Sequence, residues 1–209
     1  MPSVSDPAAP LLALGAATLG ETGGRPMRAR ITAAWPGARV AGPAFTARCT
    51  PGDNLAIHVA VARAPAGSVV VVDVGIEREL GYFGEVLTTA AEARGLVGLV
   101  IDGGVRDVAA LEAHRFPVFA TCVALKGATK QLPGAVGAEV EVGDVTVGAG
   151  DWVVGDADGV TIVPHAQLDQ VLAAGHERAD REAGLFTELR NGATTIDLLG
   201  LDPSPIEGA

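Results

Sequence analysis

Ser68-Val69-Val70-Val71-Val72-Asp73-Val74 is an almost unbroken apolar run, and its reading decides the fold. Polar residues do not alternate with apolar ones, so neither face of the segment is built for water. Seven mostly β-branched positions predict a strand buried on both sides, the habit of parallel sheets covered by helices. The chain downstream agrees. Residues 85–94 have helical character and stop at Gly95, a glycine suited to the C′ position. Residues 96–101 read as a second buried strand, 107–114 as a short helix and 117–121 as a third strand. Strand–helix–strand–helix–strand is the signature of parallel crossovers. Upstream, Pro51-Gly52-Asp53 is a turn, with Asp53 placed to cap a helix over 54–64 whose Leu55, Val59 and Ala62 share a face. Residues 39–49 are a further β segment with Gly42-Pro43 inside. Residues 1–30 read as a short helix and a loop.

Past Gly127 the character changes. Short β segments alternate with Gly-Asp turns: 139–142, 145–147, 152–154 and 159–163. They predict antiparallel structure that covers or extends the first sheet. A long polar helix over 165–190 follows, then a short tail. The expectation is one α/β domain over 1–209, with a parallel βαβ first half, a β-rich second half and a C-terminal helix.

Composition narrows the function. The 209 residues are 48% hydrophobic, which excludes a disordered chain. Fifteen basic against 25 acidic residues give a net charge of −10. Nucleic acid and anionic membranes both require the opposite balance, so neither is expected as a partner. Cys49 and Cys122 lie far apart in no ligand spacing, and are expected as buried thiols in a reducing cytoplasm. The apolar stretch 10–19 lacks a cationic flank and is not read as a signal segment. No run reaches the ~18–20 residues of a membrane span, so a soluble cytoplasmic protein is expected.

Several motifs are set aside. Gly155-Asp156-Ala157-Asp158-Gly159 lacks the acids of a calcium loop. His58, His114, His165 and His176 have no ligand-spaced partner and are read as surface or helix-end residues. Lys126 and Lys130, the two lysines, are read as surface residues, with a Schiff base as the alternative.

Two segments carry chemistry. Gly84-Glu85-Val86-Leu87 opens a helix; Asp102-Gly103-Gly104-Val105-Arg106-Asp107 follows a buried strand. Ligands of parallel sheets bind beyond the carboxyl ends of strands. Free N–H groups at a helix start suit a small carboxylate, and Arg106 adds a planar fork of donors. A lone carboxylate at Asp107 suits a hydrated hard cation such as Mg²⁺, with Glu85 bonding its waters. Carboxylate cradle, arginine and metal together fit an α-keto acid. The plainer alternative is a tight glycine turn, a capping Asp102 or Asp107, and a surface Arg106.

These segments also carry a resemblance. Gly52-Asp53-Asn54-Leu55, Gly84-Glu85-Val86-Leu87 and the run from Ala93 to Asp107 are similar to the 4-hydroxy-4-methyl-2-oxoglutarate aldolase family. Residues 116–120 and 150–160 continue the match, and the family also holds the RraA-type regulators of ribonuclease E activity. The resemblance implies a swivelling β/β/α fold assembled as homotrimers or homohexamers with sites at subunit interfaces. It implies a class II pyruvate aldolase, dependent on Mg²⁺ or Mn²⁺. The substrate would be 4-hydroxy-4-methyl-2-oxoglutarate or 4-carboxy-4-hydroxy-2-oxoadipate, with oxaloacetate decarboxylation alongside. Asp107 matches the metal ligand and Arg106 the residue gripping pyruvate. The backbone of Gly84, Glu85, Val86 and Leu87 matches the carboxylate cradle, and the Glu85 side chain matches the acid serving the metal's water. A glutamate from a neighbouring subunit's C-terminal helix is implied, with Glu182 at a plausible spacing and Glu177 as the alternative. The other implied reading is a non-catalytic regulator acting by protein–protein binding; the intact Arg106-Asp107 pair favours the enzyme. A methyltransferase is not expected, since the chain has no glycine-rich nucleotide loop.

Overall fold

The computed structural model describes residues 6–207. In chain order its elements are α1 (Ala8–Glu21), β1 (Arg25–Pro26), β2 (Thr32–Ala33), β3 (Val40–Arg48), α2 (Leu55–Arg63), β4 (Val69–Asp73) and α3 (Glu85–Ala93). Next come β5 (Gly98–Ile101), β6 (Gly104–Val105), α4 (Val108–Ala113), β7 (Val118–Ala120) and β8 (Cys122–Val123). The second half holds β9 (Ala135–Val136), β10 (Val140–Val142), β11 (Val145–Val147), β12 (Trp152–Asp156) and β13 (Gly159–Val163). A 3-10 turn over His165–Gln167 leads into α5 (Leu168–Arg190), and two short helices follow, α6 (Thr195–Leu199) and α7 (Ser204–Glu207).

The valine run is β4, and all four of its valines are buried. It pairs in parallel with β3 on one side and β5 on the other, and β5 pairs in parallel with β7. Helices α2, α3 and α4 make the crossovers between these strands. The sheet order is β1-β13-β12-β3-β4-β5-β7-β2, with β9 joining the end of β3.

Strand β3 is where the two halves meet. Its residues Val40–Pro43 pair antiparallel with β12, and Ala44–Arg48 pair in parallel with β4. Pro43 stands at the change of partner, where a missing N–H interrupts no continuous ladder. Strands β12 and β13 extend the sheet, whereas the hairpin β10–β11 is separate and buries Val140, Val142, Val145 and Val147 in the main core. Both outcomes foreseen for the β-rich half, extension and cover, are present.

The sheet curls into a half-barrel. A Cβ on Gly155 of β12 would lie 2.7 Å from the ring of Phe119 on β7, strands that are well separated along the sheet. Outside the curl, Leu11 and Leu19 of α1 pack with Trp152, Val154 and Val163, and Val171 of α5 joins them.

Two expectations need correction. On α2 the buried residues are Ala56, Ile57, Ala60 and Val61, while Leu55 and Ala62 are exposed and Val59 is half-buried. Almost every residue of this helix is apolar, so periodicity does not single out a face. Cys49 is buried and its thiol is pushed up to about 12 by that burial, but Cys122 is half-exposed. Among the described residues no helix is long and apolar enough to cross a membrane.

Candidate active site

The carboxyl ends of β4 and β5 release the two segments that carry chemistry, and backbone pairing brings them together. Tyr82 N donates to Gly104 O (3.0 Å), Arg106 N donates to Phe83 O (2.9 Å), and Gly81 N donates to Lys126 O (2.8 Å). Approach this close requires missing side chains. A Cβ on Gly81 would stand 2.6 Å from Ala124 O, and one on Gly84 would stand 2.5 Å from Asp107 Oδ2.

Asp107 is the N-cap of α4 but caps a different helix with its side chain. Its backbone is left-handed (φ 58°, ψ 37°), a conformation costing a non-glycine residue about 1–2 kcal/mol. That twist aims the carboxylate at the start of α3, where Oδ2 accepts a hydrogen bond from Glu85 N at 3.1 Å. Arg106 Nε lies 3.8 Å from the same oxygen. Both side chains remain almost half exposed, so the pair is accessible from solvent.

Gly84, Val86, Leu87, Arg106 and Asp107 form one part of the wall of a cavity of about 230 Å³. A second part comes from Asn54, inside the Gly52–Leu55 motif, and from residues that the motifs did not indicate: His58 on α2, and Ala128 and Lys130 on the loop after Gly127. Asp53 holds that second part in place. Its Oδ2 accepts from Thr129 Oγ1 (2.7 Å), Gln131 N (2.5 Å) and Leu132 N (3.0 Å), and its Oδ1 from Leu55 N (2.8 Å). Burial pushes the Asp53 carboxyl up, but these hydrogen bonds outweigh it and hold the pKa at about 2. Asn54 Nδ2 donates to Tyr82 O at 2.7 Å and so ties the two parts of the wall together.

The other expected residues lie elsewhere within the chain. The side chain of Glu85 is exposed beside His114, with Oε1 3.8 Å from Nε2, and does not line the cavity. Glu182 pairs with Arg178 (2.9 Å), which also reaches Glu21 of α1. Glu177 is exposed on the same helix. Asp102 does not cap a helix. It is buried, accepting Arg30 Nη2 (2.7 Å), Arg78 Nε (2.9 Å) and Gly143 N (3.2 Å). It therefore fastens the β10–β11 turn to the end of β5. His58, read as a surface or helix-end residue, is partly buried and lines the cavity, and Lys130, exposed as expected, lies at its edge. Nothing in their local spacing marks them, because tertiary packing alone brings them to it.

The family model described as Aldolase/RraA matches residues 2–162. The chain belongs to this RraA-like family. Similar proteins carry several kinds of name. A Halalkalibacterium halodurans protein, provisionally named a 4-hydroxy-4-methyl-2-oxoglutarate aldolase, is 36% identical over 69% of this chain and 70% of its own length. The RNA-processing inhibitor RraA from Thermus thermophilis is 28% identical, with a TM-score of 0.62 over 68% of this chain and 85% of that one. An uncharacterised Pseudomonas syringae protein has a TM-score of 0.74 at 26% identity, covering 85% of this chain and 88% of that one. The RraA fold and the Aldolase/RraA family are thus those the sequence motifs implied.

Proposed function

We propose that this chain is a lyase, a divalent-metal-dependent pyruvate aldolase. Its substrate would be 4-hydroxy-4-methyl-2-oxoglutarate or 4-carboxy-4-hydroxy-2-oxoadipate, cleaved to pyruvate and a second 2-oxo acid. The observation that carries the reading is that Arg106, Asp107 and the amino end of α3 share one small cavity. The aldolase-named relatives support it at family level.

The donor set fits a hydrated hard ion. Among the described residues no three His, Cys, Asp or Glu side chains cluster as a closed metal cage. Asp107 offers one carboxylate on a water-accessible cavity, which suits Mg²⁺ or Mn²⁺ retaining most of its waters rather than zinc. Bound there, the ion would supply Lewis-acid stabilisation of negative charge on the keto acid.

The remaining work falls to the chain. Free N–H groups of the first turn of α3 hold the substrate's C1 carboxylate. Arg106 faces the 2-oxo oxygen, where negative charge develops as the C3–C4 bond breaks. The C4 hydroxyl gives up its proton and becomes the carbonyl of the leaving 2-oxo acid. The electron pair of the broken bond passes to the pyruvate unit, which then takes a proton at C3. Glu182 from a neighbouring copy is the acid assigned to these proton movements; Glu85, whose side chain is exposed at the start of α3 outside the cavity wall, would bond the ion's waters rather than touch the substrate. Oxaloacetate reaches the same product by losing CO₂ from the corresponding bond.

Coupled assay of pyruvate release tests the reading, using 4-hydroxy-4-methyl-2-oxoglutarate and oxaloacetate with Mg²⁺ or EDTA. Turnover dependent on both the metal and Asp107 is expected. The likeness to the Thermus inhibitor supports a second reading, a non-catalytic regulator that acts by protein–protein binding. That reading requires folded, Mg²⁺-loaded protein to release no pyruvate from either acid.

A further inference from the structure

The long helix α5 is anchored through its first half only. Val171 and Gly175 are its buried residues, and Arg178 pairs with Glu21 at the end of α1. Past Arg178 no residue of α5 is buried, and Phe186 is half exposed. The arm that follows buries nothing in α6 and leaves Ile196, Leu199 and Leu201 about half exposed. Yet α6 has defined ends. Thr194 Oγ1 accepts a hydrogen bond from Asp197 N (3.2 Å), and Gly200 turns left-handed (φ 61°) just past its last residue. Isolated helices shorter than about 12–15 residues are marginal in water, so a capped helix this short with an apolar face calls for a seat. An apolar seat lies on another face of the chain. Leu55, Val59 and Arg63 of α2, with Ala135 and Val136 of β9, line an open groove of about 340 Å³. The three α2 residues recur every four positions and so form one stripe. Arg63 is exposed at the end of that stripe and has no ion-pair partner among the described residues. Residues 191–206 carry Asp197 and Asp202 and no basic residue, so arm and groove are complementary in charge as well as in hydropathy.

Within one chain the groove stands open and the arm stands free, because α5 is fastened to α1. The occupant that satisfies both is a second copy. We propose that the arm of one copy docks in the α2–β9 groove of the next, with Ile196, Leu199 and Leu201 entering the groove and the acids beside them facing Arg63. This rests on the reading in which Glu182 of one copy serves the cavity of its neighbour. The reach agrees with that reading. The cavity and the groove share α2 as a wall, the one taking Asn54 and His58, the other Leu55, Val59 and Arg63. A helix is about 10–12 Å across, and the eight residues of α5 beyond Glu182 span about 12 Å. An α5 that brings Glu182 to the cavity is therefore long enough to carry α6 past α2 to the groove. The docked arm would fix α5 at its far end, where its own chain leaves it unsupported.

The test places a photo-cross-linker on the arm of the full-length protein. Thr195 is exposed beside Ile196, so Thr195→p-benzoylphenylalanine leaves the three apolar side chains in place. On irradiation, a denaturing gel should show a product of twice the 21.0 kDa chain, and mass spectrometry should place the bond within residues 55–63 or 132–136. Leu199→Asp in the same background should cut the yield at least about tenfold, the worth of one leucine side chain withdrawn from an apolar site. Leu199 is exposed in the single chain, so the thermal melt, read at a concentration where the protein is monomeric, should not change. Arg63→Glu should lower the yield about threefold, as loss of an exposed ion pair does. A bond formed within one chain, a bond to any other segment, no bond at all, or a yield indifferent to Leu199→Asp overturns the inference. Pyruvate release without the cross-link removes the docked arm and leaves the aldolase reading standing. The cross-link in protein that releases no pyruvate does the reverse.

Discussion

Asp107 combines a strained backbone, a helix cap and a free carboxylate oxygen in one residue. Asparagine tolerates the left-handed conformation and can still accept the Glu85 N–H, so Asp107→Asn removes charge while keeping geometry. We expect this variant to lose turnover by more than ~100-fold, as removal of an electrostatic group at a reacting centre does, with Tm nearly unchanged. A melt that falls along with activity would reduce Asp107 to a structural cap. Gly84→Ala tests the same contact from the other side. Gly84 has φ −167°, so alanine is not strained there, but its Cβ would displace the Asp107 carboxylate. Activity should fall at least ~10-fold while stability drops by about 1–3 kcal/mol, the usual cost of local overpacking. Arg106 and Asp107 were legible in the sequence because they are adjacent and directly follow a buried strand. His58 and Lys130 were not, because they come from a helix and a loop more than 20 residues away on either side; Asn54 stood inside the Gly52–Leu55 motif, but its place on the wall did not follow from it.

At the scale of elements, what distinguishes this cavity is how a loop without regular structure is fixed to a helix. Asp53 does this through four hydrogen bonds that span α2 and residues 129–132. Its pKa of about 2 lies below the ordinary 3.8, so the folded state favours the ionised carboxylate. The stabilisation is fully present above about pH 4 and fades as pH falls through the folded value. Asp53→Asn should therefore cost about 1–3 kcal/mol near neutrality, and the gap from wild type should close toward pH 2. Thermal melts from pH 2 to 7 read this directly; a gap that does not change with pH would show that the charge contributes nothing. Elements themselves were legible where β-branching and glycine agreed, as in β4, β5 and the stop after α3. The buried face of α2 was not, because alanine and valine surround that helix and give no contrast. The partner change within β3 was also hidden, since local sequence does not encode which strand lies alongside.

Across the whole molecule, the cavity has one carboxylate on its wall, whereas the expected catalytic glutamates sit on other surfaces of the chain. Glu182 is tied to Arg178 on the face where α5 meets α1, so within one chain it does not reach the cavity. In the trimer or hexamer that the resemblance implies, α5 of one copy would serve the cavity of the next. Two measurements follow. Light scattering should give a mass that is a multiple of three times the 21.0 kDa chain. Glu182→Gln should lower turnover more than ~10-fold with little change in Tm, since an exposed ion pair contributes only about 0–1 kcal/mol. The decisive version mixes two inactive variants, Asp107→Asn and Glu182→Gln, under conditions that exchange subunits. If every site draws Asp107 from one copy and Glu182 from another, random mixing restores both groups to about a quarter of the sites. Activity should then reappear from two dead proteins. If both groups act within one copy, no mixed site holds the pair and the mixture stays inactive. Recovery with Glu177→Gln in place of Glu182→Gln would move the role one turn and a half along the same helix, leaving the shared site intact.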